Sequence, residues 1–382
     1  MDFSLTEEQR LLQSEIRRFA SEELNQEVSR RDRDQEFPRE LWRRCGEMGL
    51  MGLPVPEQEG GSGLEPLSTA IALEALGYGC EDSGLVFSIC AHLLAGVVPL
   101  WKFGTETQRN RYLAGLCDGS LIAANAMTEA DSGSDAFALR TSAREDGDGY
   151  RINGTKMFIT NAPVADLALV FACTDPDRPP AARLTAFLVE TGTAGFQVGR
   201  KLEKMGLRTS PLSELVFEDV RVSRDAVLGG VGGGAMVFTH SMDWERTCLF
   251  ASHVGTAERL LETAVRYARN RRQSGQAIGK FQGVAHRIAD AKVALEGARW
   301  LVYHAAWQLE RTRRVSLHAA IAKLAASRAL LRCALDAVQV LGGYGFMTEF
   351  QVERAVRDAV GSGLYSGTSE IQKNIIAGWL GL

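Results

Sequence analysis

Tyr150-Arg151-Ile152-Asn153-Gly154-Thr155-Lys156-Met157-Phe158-Ile159-Thr160 is the stretch that decides how the chain divides. Residues 150–152 alternate apolar with charged, and 156–160 resumes an extended, apolar-rich run. Asn153-Gly154 between two such runs predicts a hairpin. Further short strands are expected at 167–173, 184–189 and 214–222, the last alternating Val, Leu and Phe with charge. Together these give a small β domain over 122–228.

On either side the pattern is helical. Apolar residues recur at steps of three and four over 11–24, 41–51, 67–76 and 108–116, with turn-rich breaks such as Gly60-Gly61-Ser62-Gly63 between them. Thr6 and Gln9 read as a capping box that opens the first helix. This is an N-terminal helical domain over 1–121. After the linker Gly229-Gly230-Val231-Gly232-Gly233-Gly234, long amphipathic helices are expected over 235–269, 281–311 and 316–341, then 349–359 and from 368. They form a C-terminal helical bundle over 229–382. The linker contains a loose G-x-G-x-x-A, but no βαβ unit surrounds it, so it reads as an interdomain connection.

Composition narrows the function. The chain has 382 residues, 43 basic and 47 acidic, for a net charge of -4. That balance argues against nucleic acid or an anionic membrane as the main partner. Residues 1–9 show no signal-peptide pattern, and the most apolar stretch, 89–100, is too short to span a bilayer, so a cytoplasmic location is expected. Seven scattered cysteines without a CxxC read as reduced core residues. The six histidines lack HxH or HExxH spacing, so no metal is expected, and His92 and His240 read as packing residues.

Ser241-Met242-Asp243-Trp244-Glu245-Arg246 places a carboxylate on a helix that otherwise reads as core. In a regular helix, Ser241, Glu245, Cys248, Ser252 and Gly255 share one face. Two readings follow. Either small residues around one acid leave room for a ligand, or the helix packs closely on a neighbour with Glu245 paired to an arginine.

Four further segments, taken in order, resemble the flavin-dependent acyl-CoA dehydrogenases over essentially the whole chain. They are Ala126-Met127-Thr128-Glu129 with Gly133-Ser134-Asp135; Asn153-Gly154 through Phe158-Ile159-Thr160-Asn161; Arg271 with Gly275 and Phe281-Gln282; and Gln339-Val340-Leu341-Gly342-Gly343-Tyr344-Gly345 with Tyr365, Gly367, Thr368 and Ile371-Gln372. The resemblance implies a mixed, mainly α fold with an N-terminal helical domain, a middle β-barrel and a C-terminal four-helix bundle. It also implies a homotetramer with one FAD per subunit. Met127, Thr128, Ser134, Phe158 and Thr160 would hold the flavin ring. Arg271, Gln282, Gln339 and Gly343 would reach the adenine and pyrophosphate end of a neighbouring subunit's FAD, and Thr368 and Glu370 would also approach it.

The chain departs from the commonest family pattern. Many members carry the catalytic base in Tyr-Glu-Gly-Thr, where this chain has Tyr365-Ser366-Gly367-Thr368. A minority, including isovaleryl-CoA dehydrogenase, place the base on the helix in a pattern like Asp-Leu-Glu-Arg. Asp243-Trp244-Glu245-Arg246 stands there, so Glu245 would be the base and Ser366 would keep only its backbone N–H as oxyanion donor. Ser241, Cys248, Ser252 and Tyr365 would line the pocket for a short acyl group.

A closer resemblance is to the dehydrogenases that oxidise a prolyl thioester on a carrier protein to pyrrole-2-carboxyl units for secondary metabolites. It lies in Phe87-Ser88-Ile89-Cys90-Ala91-His92-Leu93, in 159–166, in Trp244-Glu245-Arg246 with Cys248-Leu249, and in Ser366-Gly367-Thr368. The substrate it implies is L-prolyl on a peptidyl carrier protein, with a short branched-chain acyl-CoA as the alternative handle. A non-catalytic binding protein on the same scaffold is the reading from another class. Electrons would pass to an electron-transferring flavoprotein or to oxygen. The basic runs 269–272 and 311–314 are either a carrier-protein surface or solvated helix ends.

Overall fold

The computed structural model describes residues 4–309, 311–312 and 314–382. Arg313, within the second basic run, lies outside them. The N-terminal part is helical: α1 Glu7–Glu23, α2 Val28–Asp34, α3 Arg39–Glu47, α4 Pro66–Gly79, α5 Ser83–His92, α6 Val98–Phe103 and α7 Glu106–Cys117. The Thr6–Gln9 capping box opens α1, and Thr105–Gln108 repeats the device on α7.

A π-helical turn, Leu93–Val97, joins α5 to α6, so 83–103 is one continuous helical run of 21 residues. Its length and hydropathy would suit a membrane, contrary to the sequence expectation that the stretch is too short. However, 83% of its most apolar window is buried inside the protein. A helix apolar all round is what a central core position demands.

Eight strands form the middle sheet: β1 Ala123–Ala126, β2 Ser142–Asp146, β3 Gly149–Thr160, β4 Leu167–Cys173, β5 Leu184–Glu190, β6 Phe196–Lys201, β7 Leu212–Ser223 and β8 Val227–Leu228. They run in the order β6-β7-β3-β2-β4-β5-β8, with β1 parallel to β4 at the side. The expected hairpin at Asn153-Gly154 is not there. The turn lies at residues 147–148, pairing Asp146 with Gly149, and Asn153-Gly154 sits inside β3 at a bulge opposite β7. Gly154 adopts φ 151, and a Cβ there would stand 2.4 Å from Thr141 Oγ1. Close backbone approach, not a reversal, explains this glycine.

The C-terminal part comprises α8 Gly234–Trp244, a π-helical turn Glu245–Leu249, α9 Phe250–Asn270, a ribbon of β9 Arg272–Gln273 and β10 Gln276–Ala277, then α10 Gln282–Gln308, α11 Val315–Leu341, α12 Gly343–Phe346, α13 Val352–Gly361 and α14 Ser369–Trp379. Helices α9, α10 and α11 pack on one another, and α9 also packs on α4. The helical core is therefore continuous from the N-terminal to the C-terminal part, and the sheet has its own core around Tyr150, Phe187 and Phe217.

Candidate active site

A cleft with a volume of about 190 Å³ opens where the sheet meets the helices. Its sheet wall is Met127, Thr128, Ser134, Phe158 and Thr160, and its helical wall includes Phe87, Phe238, Met242, Glu245, Arg246, Tyr365 and Ser366. All five residues expected to face a flavin ring therefore lie on one wall, facing Glu245.

The sheet wall is held from behind. The Lys156 ammonium, fully buried, donates to the Met127 carbonyl at 3.0 Å and to Glu129 Oε1 at 2.8 Å. Glu129 also accepts the backbone N–H groups of Arg140, at 2.6 Å, and Thr141, at 2.9 Å. Burial pushes the Glu129 carboxyl up, but Lys156 and these donors outweigh it and hold it below its ordinary value. Burial draws the Lys156 ammonium down to about 8 despite its partner. Phe158 follows on the same strand with φ 59 and is 61% exposed. A left-handed phenylalanine presenting its ring to a cleft is a strained arrangement of the kind that collects at ligand sites.

Glu245 opens the π turn on the opposite wall and is 8% exposed. Burial pushes its carboxyl up, while the Ser366 hydroxyl, Arg246 and Lys323 pull it back. The hydroxyl of Ser366 donates to Glu245 Oε1. Ser366 adopts φ 56 and Gly367 φ 84, and this turn is fixed through its carbonyls. Arg246 Nε donates to the Ser366 carbonyl at 3.0 Å, and Gln372 Nε2 to those of Ser366 and Gly367 at 3.2 and 2.8 Å. Among the described residues, the Ser366 backbone N–H makes no hydrogen bond. The sequence reading leaves the serine hydroxyl idle; here it holds the acid.

The expected stripe does not line the cleft, although Ser252 borders a smaller cavity behind Tyr365. Ser241, Cys248, Ser252 and Gly255 are buried away from the cleft. The Ser241 hydroxyl donates to the Phe238 carbonyl, and Cys248 Sγ lies 4.0 Å from the carbonyl of Pro66, at the start of α4. A Cβ on Gly255 would stand 2.0 Å from the Glu74 carbonyl, and one on Gly77 2.0 Å from that of Ser252. For Cys248, Ser252 and Gly255 the physical cause is the π turn, whose extra residue rotates everything after Glu245 by about 100° relative to a regular helix; Ser241 precedes the turn and is not affected by it. The small residues consequently let α9 approach α4, while Phe238, Met242 and Arg246 join Glu245 at the cleft.

Tyr365 does line the cleft, and behind it stands a group the sequence reading did not single out. The Tyr365 hydroxyl lies 2.5 Å from His253 Nε2, and His253 Nδ1 lies 3.2 Å from Ser252 Oγ. The only sequence signal was a histidine following a serine on the α9 face turned toward the core. His92 is a packing residue, with Nε2 at 2.9 Å from the Leu116 carbonyl and Nδ1 accepting from the Ala123 N–H at 2.9 Å. His240 stacks edge-on against Phe103. Arg271, Gln282, Gln339 and Gly343 lie outside the cleft, and all four are exposed. Thr368 caps α14, and Glu370 is exposed beside Lys373. Among the described residues no group of three His, Cys, Asp or Glu side chains is placed to hold a metal.

Three family models match in succession: the N-terminal domain of acyl-CoA dehydrogenases over residues 6–120, the middle domain over 124–220 and the C-terminal domain over 232–381. An L-prolyl-[peptidyl-carrier protein] dehydrogenase of Serratia sp. (strain ATCC 39006) is 42% identical over 382 residues, covering 100% of this chain and 99% of the relative. Among solved structures, one described as PigA with FAD and proline superposes with a TM-score of 0.98 at 42% identity, covering both chains fully. The crystal structure of the prolyl acyl carrier protein oxidase AnaB gives a TM-score of 0.97 at 43% identity, over 99% of this chain and 100% of that one.

Proposed function

Because the chain belongs to the acyl-CoA dehydrogenase family along its whole length, we propose that it is an FAD-dependent acyl-thioester dehydrogenase whose substrate is L-prolyl on a peptidyl carrier protein and whose base is Glu245. The observation that carries the base is the buried Glu245 carboxylate on the cleft wall, held by Ser366, where the family's usual loop glutamate is absent. The substrate reading is supported by relatives that share about two-fifths of the residues end to end and are named for a carrier-bound prolyl group.

The cleft suits the group it would hold. Met127, Thr128, Ser134, Phe158 and Thr160 offer one flat wall of backbone, hydroxyls and an aromatic ring, with the acid opposite. FAD bound there supplies the acceptor for two electrons and a hydrogen from the substrate. Glu245 takes the proton from the α-carbon. The free Ser366 N–H hydrogen-bonds the thioester oxygen, stabilising the charge that develops as that proton leaves. Arg246 and Gln372 keep that N–H aimed by holding the carbonyls of the same turn. Phe87 and Tyr365 close the acyl end against water. Pyrrolidine becomes pyrrole by losing four hydrogens, so a pyrrole product requires a second two-electron oxidation at other ring atoms after the α-proton has gone.

The assembly belongs to the same reading. Arg271, Gln282, Gln339 and Gly343 do not line their own cleft. In a homotetramer they reach a neighbour's FAD, and exposed apolar side chains such as Phe346, Met347 and Trp379 become interface. We place the enzyme in the cytoplasm, with an electron-transferring flavoprotein or oxygen as the acceptor; reoxidation rates in air and with that flavoprotein separate the two.

The test is anaerobic mixing of the flavin-loaded protein with prolyl-carrier protein and, separately, isovaleryl-CoA. The prolyl thioester should bleach the flavin quickly and isovaleryl-CoA slowly. The reverse order makes it a branched-chain acyl-CoA dehydrogenase, and no bleaching with any thioester leaves a binding protein.

A further inference from the structure

Tyr365 lines both the cleft and a smaller cavity of about 20 Å³ behind it, and Phe87 borders both. The phenol ring is wedged between Phe87, with centroids 4.6 Å apart, and Phe250, at 6.0 Å. Its hydroxyl meets His253 Nε2 at 2.5 Å. The far side of the imidazole decides who donates. Ser252 Oγ gives its one proton to the Leu249 carbonyl at 2.6 Å, so toward His253 Nδ1 it can only accept. Nδ1 therefore carries the ring proton. Burial, with the Lys323 ammonium nearby, pulls the His253 pKa down to about 3, so the ring is neutral and has a single N–H. Nε2 is bare, and Tyr365 must be the donor. The phenol oxygen is left with lone pairs and no free proton.

We propose that Tyr365, locked as an acceptor by His253, reads a hydrogen-bond donor on the acyl group, the ring N–H of a prolyl thioester, and selects it over an all-carbon acyl group of the same shape. This rests on the prolyl reading above. In a prolyl group the N–H is bonded to the α-carbon, the atom that faces the base. Tyr365 immediately precedes Ser366, whose hydroxyl holds Glu245, so the reader and the residue that holds the base belong to one turn. A cyclopentanecarbonyl thioester fills the same space but leaves a buried acceptor unpaired. Sites built around a polar contact reject isosteres by that mismatch. Tyr365 touches substrate; His253 is a positioning residue that fixes the direction of the phenol proton.

The experiment uses the flavin-loaded enzyme and one carrier protein charged with L-prolyl or with cyclopentanecarbonyl, reading the rate of anaerobic flavin bleaching. Wild type should prefer prolyl by ~10–100-fold, the cost of one unpaired buried acceptor. Tyr365→Phe, which deletes one oxygen and keeps the ring, should collapse that ratio toward unity. His253→Leu should lower it with the phenol intact, and His253→Asn, whose amide oxygen accepts the phenol proton, should restore part of it. A wild-type ratio in both Tyr365→Phe and His253→Leu overturns the inference and leaves the prolyl reading standing. Failure of wild type to be reduced by the prolyl thioester overturns the reading, and the inference with it.

Discussion

The Ser366 hydroxyl donates to the Glu245 carboxylate across 121 residues of sequence, so the residue in the loop position where many family members carry the base instead holds the helix acid that we propose as the base. Removing the acid and removing its holder should look different. Glu245→Gln should keep FAD bound and slow flavin reduction by ~10²–10⁴-fold at every pH, the usual worth of a general base. Burial raises the Glu245 pKa and the Ser366 donor lowers it. A base works deprotonated, so the rate falls as pH drops through that pKa. Ser366→Ala should therefore move the acid limb of the reduction rate to higher pH while leaving the alkaline plateau nearer wild type. Stopped-flow pH profiles check both; a crippled Ser366→Ala beside a mild Glu245→Gln reverses the assignment.

Lys156 and Glu129 hold from inside the wall that we propose faces the flavin. Lys156→Met would strand a buried carboxylate that still accepts two backbone donors, costing about 3–5 kcal/mol. It would also release the Met127 carbonyl, so FAD should be lost on gel filtration under conditions where wild type keeps it. Adding Glu129→Gln should recover part of the melting temperature. An unchanged melting temperature and flavin content in Lys156→Met would mean that the wall is held by the strands alone.

Much of this arrangement was legible because period and composition carry it. The long amphipathic helices α9 and α11, the buried run of β4 and the capping box at Thr6 each announce themselves in local pattern. The misses share a physical reason: each depends on a contact distant in sequence. Asn153-Gly154 resembles a hairpin turn until Thr141 is seen against it. The helix from 83 to 103 has no polar face to mark its period because every side is covered. The π turn at Glu245 is invisible to an analysis by steps of three and four, and it alone moves Cys248 and Ser252 from the cleft to the α4 interface. Glu245 still lines the cleft because it opens the turn and so precedes the shift.

Asp243, two residues before Glu245, should leave a signature in stability against pH. Burial pushes its carboxyl up to about 6 from an ordinary value of 3.8, although Ser316 donates to Oδ2 at 2.9 Å; Oδ1 is buried without a partner. The folded state therefore binds this proton more tightly than the unfolded chain. The associated stability is fully present below about pH 3.8 and is lost as pH rises through about 6. The difference is worth about 3 kcal/mol. Asp243→Asn should flatten the melting temperature across that window and raise it relative to wild type at neutral pH. Asp358, also pushed by burial to about 6, leaves the variant a residual slope. Identical profiles for wild type and variant would mean that water reaches the Asp243 carboxylate.

Gly255 separates the two readings of the small-residue stripe. If the stripe is packing, a methyl group at 255 has nowhere to go: its nearest neighbour is the Glu74 carbonyl, backbone of α4, at 2.0 Å, followed by the Tyr78 N at 2.7 Å. Neither can rotate aside as a flexible side chain would. α9 must retreat from α4, opening the core around Ala72, Leu76 and Val254. Overpacking of that kind costs ~1–3 kcal/mol, and more where backbone has to move. Gly255→Ala should therefore lower the melting temperature by several degrees, and Gly77→Ala, which meets the Ser252 carbonyl from the other side, should do the same. The preference between acyl groups of different length should not change in either variant, because neither position lines the cleft. A variant that melts like wild type but turns over only smaller acyl groups would return the stripe to the pocket wall.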